Sequence, residues 1–256
     1  ATDAAREAVS LIENDTVKVI DASTAYRVAP DWAYGFAEMS KDQRGKIAAS
    51  KRISNPGCYP TGFIALTRPL VEAGVIPRDW ALSVNAVSGY SGGGKAMIAE
   101  FENESDPTFT RVPYRIYAMA QKHKHVPEMQ KYAGLSRAPI FAPSVGRYYK
   151  GMIVEVPVPL AAIANGSKLA DVHGVLTQAY KGERFVSVAP LAESAALKTL
   201  DPEGLNGTNQ LKSFVFGHDD EARLVALLDN LGKGASGAAV QNLNLALGLE
   251  ESAGLS

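Results

Sequence analysis

Ser54-Asn55-Pro56-Gly57-Cys58-Tyr59-Pro60-Thr61-Gly62 is the stretch on which the reading of this chain turns. Residues 47–54 before it read as a strand, and Pro56-Gly57 breaks that strand with a sharp turn. Pro60 suits the first turn of a helix, where a missing N–H costs nothing. The helix predicted over 60–73 carries Phe63, Leu66, Leu70 and Ala73 on one face, and Gly74 is its C-terminal stop. Cys58 therefore lies at a helix N-terminus, where free N–H groups and the positive end of the dipole favour a thiolate and suit a developing oxyanion. It is the only cysteine in 256 residues. A lone cysteine is commonly a small buried hydrophobe; the flanking turn glycine and helix-start proline favour a nucleophile instead.

Around this joint the pattern alternates. Thr2 and Asp3 supply N-cap chemistry to a helix through Ala5, Ala8, Val9 and Ile12, and residues 17–20 read as a short buried strand ending at Asp21. A helix feeding a strand with nothing before it resembles a βαβ unit short of its first strand, so the sequence reads as N-terminally incomplete. Residues 21–46 read as loop. Strands are predicted over 80–87, 111–119, 139–141, 185–188, 211–216 and 222–228, and helices over 168–180 and 235–249. Residues 152–159 alternate as a strand whose Pro157 and Pro159 predict an edge position or a bulge. Early strand–helix alternation followed by strand-rich sequence argues α/β, then α+β.

Composition narrows the function. Hydrophobic residues make up 46% and charged residues 21%, as in ordinary globular proteins, which excludes disorder and fibrous repeats. The formal net charge of -1 argues against phosphate-backbone binding, so no nucleic-acid partner is expected. The longest apolar stretch, 152–164, is interrupted by Glu155 and two prolines and is too short for a membrane span, so no membrane partner is expected either. One cysteine excludes a disulfide framework or a multi-cysteine metal site.

A base is available in Gln121-Lys122-His123-Lys124-His125-Val126-Pro127-Glu128. Pro127 starts the next helix and leaves the preceding segment extended, which puts His123 and His125 on one side. They read as catalytic base and orienter, as surface or satisfied histidines, or as metal ligands with Glu128. The H-E-x-x-H pattern is absent and no third firm ligand is evident, so no metal is expected. His173 and His218 have no comparable context.

Gly89-Tyr90-Ser91-Gly92-Gly93-Gly94-Lys95-Ala96 follows a strand and fits G-x-x-x-x-G-K. Ala96 stands where a P-loop needs a hydroxyl for Mg²⁺, which argues against nucleotide hydrolysis. Glycine backbone at a helix start still suits a phosphate or dinucleotide, against the alternative of a flexible turn. Asp229-Asn230-Leu231-Gly232-Lys233-Gly234-Ala235 is a second glycine-rich helix entry, for ligand approach or for helix–sheet packing.

Taken together, Asn55-Pro56-Gly57-Cys58-Tyr59-Pro60-Thr61, Ser88 to Gly94, His123-Lys124-His125 with Pro127-Glu128, and Asp229 to Ala235 resemble the motifs of the N-acetyl-gamma-glutamyl-phosphate reductases. Asp21 to Arg27 with Asp31-Trp32 and Tyr34-Gly35 is similar to the shorter, second type of that enzyme. The resemblance runs the length of the chain. It implies an α/β Rossmann-type dinucleotide-binding domain, incomplete at its N-terminus, plus an α+β catalytic and dimerisation domain with a mixed sheet. The first would be residues 1–57 and 232–256, the second residues 58–231. The family's G-x-x-G-x-x-G loop is absent from the sequence, and the resemblance places Asp21 beyond that missing part, so Asp21 is not the ribose-binding acid.

The implied activity is cytoplasmic, NADP-dependent reduction of a small-molecule acyl phosphate to an aldehyde, in arginine biosynthesis, by a homotetramer or homodimer. Carried over by motif, Cys58 is the nucleophile and His123 the acid/base, with His125 and Glu128 in the substrate site. Ser88, Gly89, Ser91, Gly92 and Asn230 border the cofactor, and Arg27 and Arg111 anchor carboxylate or phosphate, anions that match the arginine fork. Two rival readings remain: a Cys/His acyl-transfer or hydrolytic enzyme without nicotinamide, and a non-catalytic remnant.

Overall fold

A computed structural model describes residues 2–256. The elements, in chain order, are α1 (Thr2–Ser10), β1 (Val19–Asp21), β2 (Ala33–Tyr34), α2 (Gln43–Ala49), β3 (Arg52–Ser54), α3 (Cys58–Glu72), β4 (Ser83–Gly89), α4 (Gly94–Glu102), β5 (Tyr114–Ile116) and α5 (Val126–Ala133). There follow β6 (Ile140–Gly146), β7 (Met152–Val158), α6 (Leu169–Ala179), β8 (Val186–Val188), α7 (Leu191–Ala196), β9 (Leu211–His218), β10 (Glu221–Leu228) and α8 (Gly237–Leu247).

Two sheets result. The smaller is parallel, in the order β1-β3-β2. The larger has seven strands in the order β5-β6-β4-β7-β10-β9-β8, with β4/β6 and β8/β9 parallel and the rest antiparallel. A parallel α/β sheet beside a mixed sheet with helices on one face is the architecture the sequence pattern called for. Helix α3 joins them: it leaves the carboxyl end of β3 and packs on β7, β10, α5 and α6. Phe63, Ile64, Leu66 and Leu70 are sealed in the main core, so α3 is apolar nearly all round and is held by packing. Its C-terminus closes at Gly74, φ +72, with Gly74 N–H donating to the Val71 carbonyl and Val75 N–H to the Leu70 carbonyl.

Three expectations are corrected here. Residues 47–49 are helical and only 52–54 form a strand: Gln43 and Ile47, four residues apart, are the buried pair of α2. Strand β7 is central, not at an edge. The β4 ladder along it ends at Glu155, so Pro157 has a strand neighbour on one side only, Arg223 of β10, and is tolerated as at an edge. His123 and His125 do not alternate along an extended segment: the His125 backbone N–H donates to His123 Nδ1 (3.2 Å) in a turn, and the rings meet at 4.7 Å.

Candidate active site

The carboxyl end of β3, the start of α3, the loop after β4, the turn before α5 and the loop after β10 converge on one cavity of about 350 Å³. Cys58 and both imidazoles of the His123/His125 turn line it. So do Arg27 and all five expected cofactor neighbours, Ser88, Gly89, Ser91, Gly92 and Asn230. Four motifs spread over some two hundred residues of sequence thus become one site.

The cysteine loop is fastened from behind. The Gly57 N–H donates to Glu128 Oε1 (2.8 Å), which also accepts from the Tyr34 hydroxyl (2.7 Å), while Arg27 Nη1 donates to Oε2 (3.3 Å). Arg27 is further tied through Nε to the Asn55 carbonyl (3.0 Å) and through Nη2 to the Ala22 carbonyl (2.9 Å). A side chain at position 57 would collide with Arg27 Nη1 at 2.6 Å and His125 Nε2 at 2.7 Å, which is why glycine stands there. On the other side, a Cβ on Gly234 would come within 2.8 Å of the Cys58 Cβ, so backbone from the end of β10 forms a wall of the nucleophile's seat. Asn230 spans the corner, donating to Ser91 Oγ (3.0 Å) and accepting from the Gly151 N–H (2.7 Å).

Two expected substrate residues are not brought to the cavity. Glu128 is 1% exposed and wholly engaged by Gly57, Tyr34 and Arg27, so it is a strut behind the site. Its carboxyl is pushed up by burial, against the pull of Arg27 and the Gly57 N–H. Arg111 lies on an exposed loop, paired with Glu104 at 2.6 Å.

The expected thiolate is also corrected. Cys58 begins α3, and the Tyr59 N–H and Arg27 do pull its thiol down, but burial outweighs them and raises it to about 11. Half a helix-dipole charge, partly shared among other acceptors, does not replace lost hydration. Burial likewise lowers His123 to about 4, with Lys124 adding to the effect, and lowers His125 well below the ordinary imidazole range, with Arg27 second. Resting thiol and imidazoles are therefore all neutral near pH 7.

Their hydrogen bonds distinguish the rings. His123 Nδ1 accepts from backbone, which leaves the hydrogen on Nε2. His125 Nδ1 is buried with no partner among the described residues, and its Nε2 faces the Gly57 backbone, 2.7 Å from where a Cβ on that glycine would stand. Tyr59, Tyr117 and Phe141 wall His123, at ring separations of 6.4, 5.8 and 5.1 Å. Phe141 in turn is tied to Gln121 by a reciprocal pair, Gln121 Nε2 to its carbonyl (2.9 Å) and its N–H to Gln121 Oε1 (3.0 Å). Sequence reasoning missed Tyr117, Lys124 and Gly234 as site residues, although Lys124 and Gly234 lie within quoted motifs and Tyr117 lies shortly before the histidine motif. Among the described residues, no group of three or more His, Cys, Asp or Glu side chains is placed to hold a metal.

One corner of the cavity is open backbone with uncharged polar side chains beside it. Gly92, Gly93 and Gly94 present backbone to it, and nothing stands within 4 Å of a Cβ built on Gly94. Ser88, Ser91 and Asn230 add uncharged polar groups at the same corner.

Comparison with known proteins places this geometry. The semialdehyde dehydrogenase dimerisation domain matches residues 58–230. The N-acetyl-gamma-glutamyl-phosphate reductase of Brucella anthropi is 57% identical over 249 residues, covering 96% of this chain and 80% of that protein. The Brucella ovis enzyme of the same name is 56% identical over the same span. Among solved structures, aspartate semialdehyde dehydrogenase II from Vibrio cholerae superposes with a TM-score of 0.71 at 17% identity, over 96% of this chain and 77% of that one. The Francisella tularensis aspartate semialdehyde dehydrogenase gives 0.60 at 15% identity, over 88% and 73%. At that identity the likeness speaks to fold alone: a Rossmann-type unit joined to a dimerisation domain.

Proposed function

Because this chain belongs to the family of N-acetyl-gamma-glutamyl-phosphate reductases, we propose that it reduces N-acetyl-L-glutamyl 5-phosphate to N-acetyl-L-glutamate 5-semialdehyde with release of phosphate. Family membership implies a nicotinamide cofactor; NADPH is the form proposed here, and a cytoplasmic homodimer or homotetramer the working state. The observation that carries the reading is the convergence of Cys58, two neutral imidazoles, a fixed guanidinium and bare glycine backbone on one cavity.

The chain's own groups supply the following steps. The Cys58 thiol passes its proton to His125 Nε2 as sulfur attacks the acyl carbonyl, because a thiol near 11 must be deprotonated in the act. The carbon–oxygen bond to phosphate breaks and leaves a thioester on Cys58. Arg27 binds the departing phosphate or the substrate carboxylate. His123 Nε2–H donates to the carbonyl oxygen as charge gathers there, and the N–H groups at the start of α3 assist. A nicotinamide held by Ser88, Ser91, Gly92 and Asn230 supplies, when bound, the hydride that takes the thioester to the aldehyde level. The resulting tetrahedral oxyanion, held by His123 Nε2–H, re-forms its carbonyl and breaks the carbon–sulfur bond; His125 returns its proton to sulfur, and the released phosphate takes its proton from solvent. The acid–base work is thus shared by both rings, with His125 nearer the cysteine loop, where motif likeness had assigned it to His123 alone.

The test is loss of NADPH absorbance on addition of N-acetylglutamyl phosphate, with Cys58→Ala as the control. Continuous phosphate release without NADPH oxidation, well beyond the one equivalent per chain that acylation of Cys58 itself liberates, would point instead to a hydrolytic Cys/His enzyme. Near-normal reductase activity in Cys58→Ala would overturn the assignment.

A further inference from the structure

The chain buries one lysine completely. Lys233 is 1% exposed and sits in a single turn of π-helix, Gly232–Ser236, between β10 and α8. The turn is defined by i to i−5 bonds, Gly234 N–H to the Asp229 carbonyl (3.0 Å) and Ser236 N–H to the Leu231 carbonyl (2.8 Å). All three ammonium protons have partners: Glu38 Oε1 (2.7 Å), Glu38 Oε2 (2.9 Å) and Gln241 Oε1 (2.7 Å). The rings of Phe36 and Phe185 flank the cation at 5.7 and 5.5 Å. Burying an ammonium is costly unless it is paired and hydrogen-bonded, as this one is.

The other side of the same turn faces the reaction. Gly234 packs directly on Cys58, and the Ala235 carbonyl accepts from Asn55 Nδ2 (2.9 Å) in the cysteine loop. Asn230, three residues before Lys233, sets the corner shared with Ser91. Lysine, π-turn and cysteine loop therefore form one continuous path from Glu38 to the nucleophile. Arg44, paired with Glu251 and Glu183 at the far edge of the same polar network, touches neither the turn nor the cavity.

We infer that Lys233, anchored by Glu38 and Gln241, is a positioning residue: it presses the π-turn against Cys58, and so sets both the seclusion of the nucleophile and the corner at Asn230. The inference rests on Cys58 being the nucleophile. Without the anchor, Gly234 backs away, the half-buried Cys58 opens further to water, and the thiol becomes easier to ionise but poorly aimed.

Because Cys58 is the only cysteine, iodoacetamide reads it without assigning sites and without any turnover. The variant is Lys233→Met with Glu38→Gln, which removes both buried charges together and so avoids a stranded carboxylate. Fold is checked by circular dichroism. The expected result is a folded protein whose Cys58 alkylates about tenfold faster at pH 8 while kcat falls about tenfold and KM changes much less, as misaimed groups predict. Arg44→Ala, which perturbs the network without touching the turn, keeps the wild-type alkylation rate and kcat. Lys233→Arg, which keeps the charge but cannot direct donors to the same three oxygens, changes in the same sense as the double variant. Unchanged alkylation and kcat in a folded double variant overturn the inference, as does failure of both Lys233 variants to fold, which makes Lys233 scaffold only. Activity lost in Cys58→Ala, with alkylation of the double variant unchanged, would sink this inference and leave the catalytic reading standing.

Discussion

Replacing Glu128 with glutamine tests whether that carboxylate is a strut or a substrate ligand. The amide oxygen can still accept from the Gly57 N–H and the Tyr34 hydroxyl, but its NH₂ group then faces the Arg27 Nη1 that donated at 3.3 Å. Arg27 is left as a buried cation without its counter-charge. Breaking a buried pair by removing one partner costs about 3–5 kcal/mol. Arg27 keeps two carbonyl acceptors and borders the cavity, so about 2–3 kcal/mol is expected here. For a chain of this size that is a drop in Tm of roughly 5–10 °C. The Gly57 loop carries Cys58, so kcat should also fall, on the order of tenfold, with KM changing less. Thermal melts and steady-state kinetics measure both. A companion variant, Arg27→Met with Glu128→Gln, should recover part of the lost Tm because it strands no charge. A Glu128→Gln protein with wild-type Tm and raised KM alone would refute the strut and return Glu128 to the substrate site.

The remaining predictions concern ionisation and reach. Cys58 near 11 leaves about one thiolate in 3,000 at pH 7.5, so iodoacetamide alkylation should rise about tenfold per pH unit up to pH 10; a plateau by pH 9 contradicts this. His123 falls from 6.5 in the unfolded chain to about 4 in the folded one, so its contribution to stability is present above 6.5 and lost as pH drops toward 4. That is about 2 kcal/mol after allowing for solvent access, and His125 adds in the same direction; melts that do not fall between pH 6.5 and 4.5 would be inconsistent with one buried and one half-buried neutral ring. Arg111→Ala should leave kcat and KM unchanged, since it severs an exposed pair with Glu104 and a contact over the Phe109 ring, both away from the cavity.

Much of the site was readable because turn chemistry is local. Pro56-Gly57 ahead of Cys58 and Pro60 after it specify strand, turn and helix within nine residues, and the cysteine's place follows from them. The glycine run after β4 and the loop after β10 were readable for the same reason. What escaped depends on partners far away in sequence. Glu128 lies beside the histidines in the chain and was read as their neighbour in function, yet its partners are Gly57, Tyr34 and Arg27. Pro157 suggested an edge because a proline lacks a donor, but whether that donor is missed depends on where the β4 ladder stops. The thiol's resting state needed burial as well as the helix start, and no local pattern gives the depth of a cavity wall. Nothing in its glycine-rich loop distinguishes Lys233; only Glu38, nearly two hundred residues earlier, reveals it as an anchor.

The central claim is that sulfur of Cys58 carries the acyl group between phosphate release and reduction. Intact-mass analysis of protein mixed with N-acetylglutamyl phosphate, with reduced cofactor withheld, tests it most directly. The account predicts one N-acetylglutamyl group per chain, mapped to Cys58, released as aldehyde when NADPH is added and absent from Cys58→Ala. Turnover by a protein that never acquires that mass, or an acyl group found on any other residue, would contradict it.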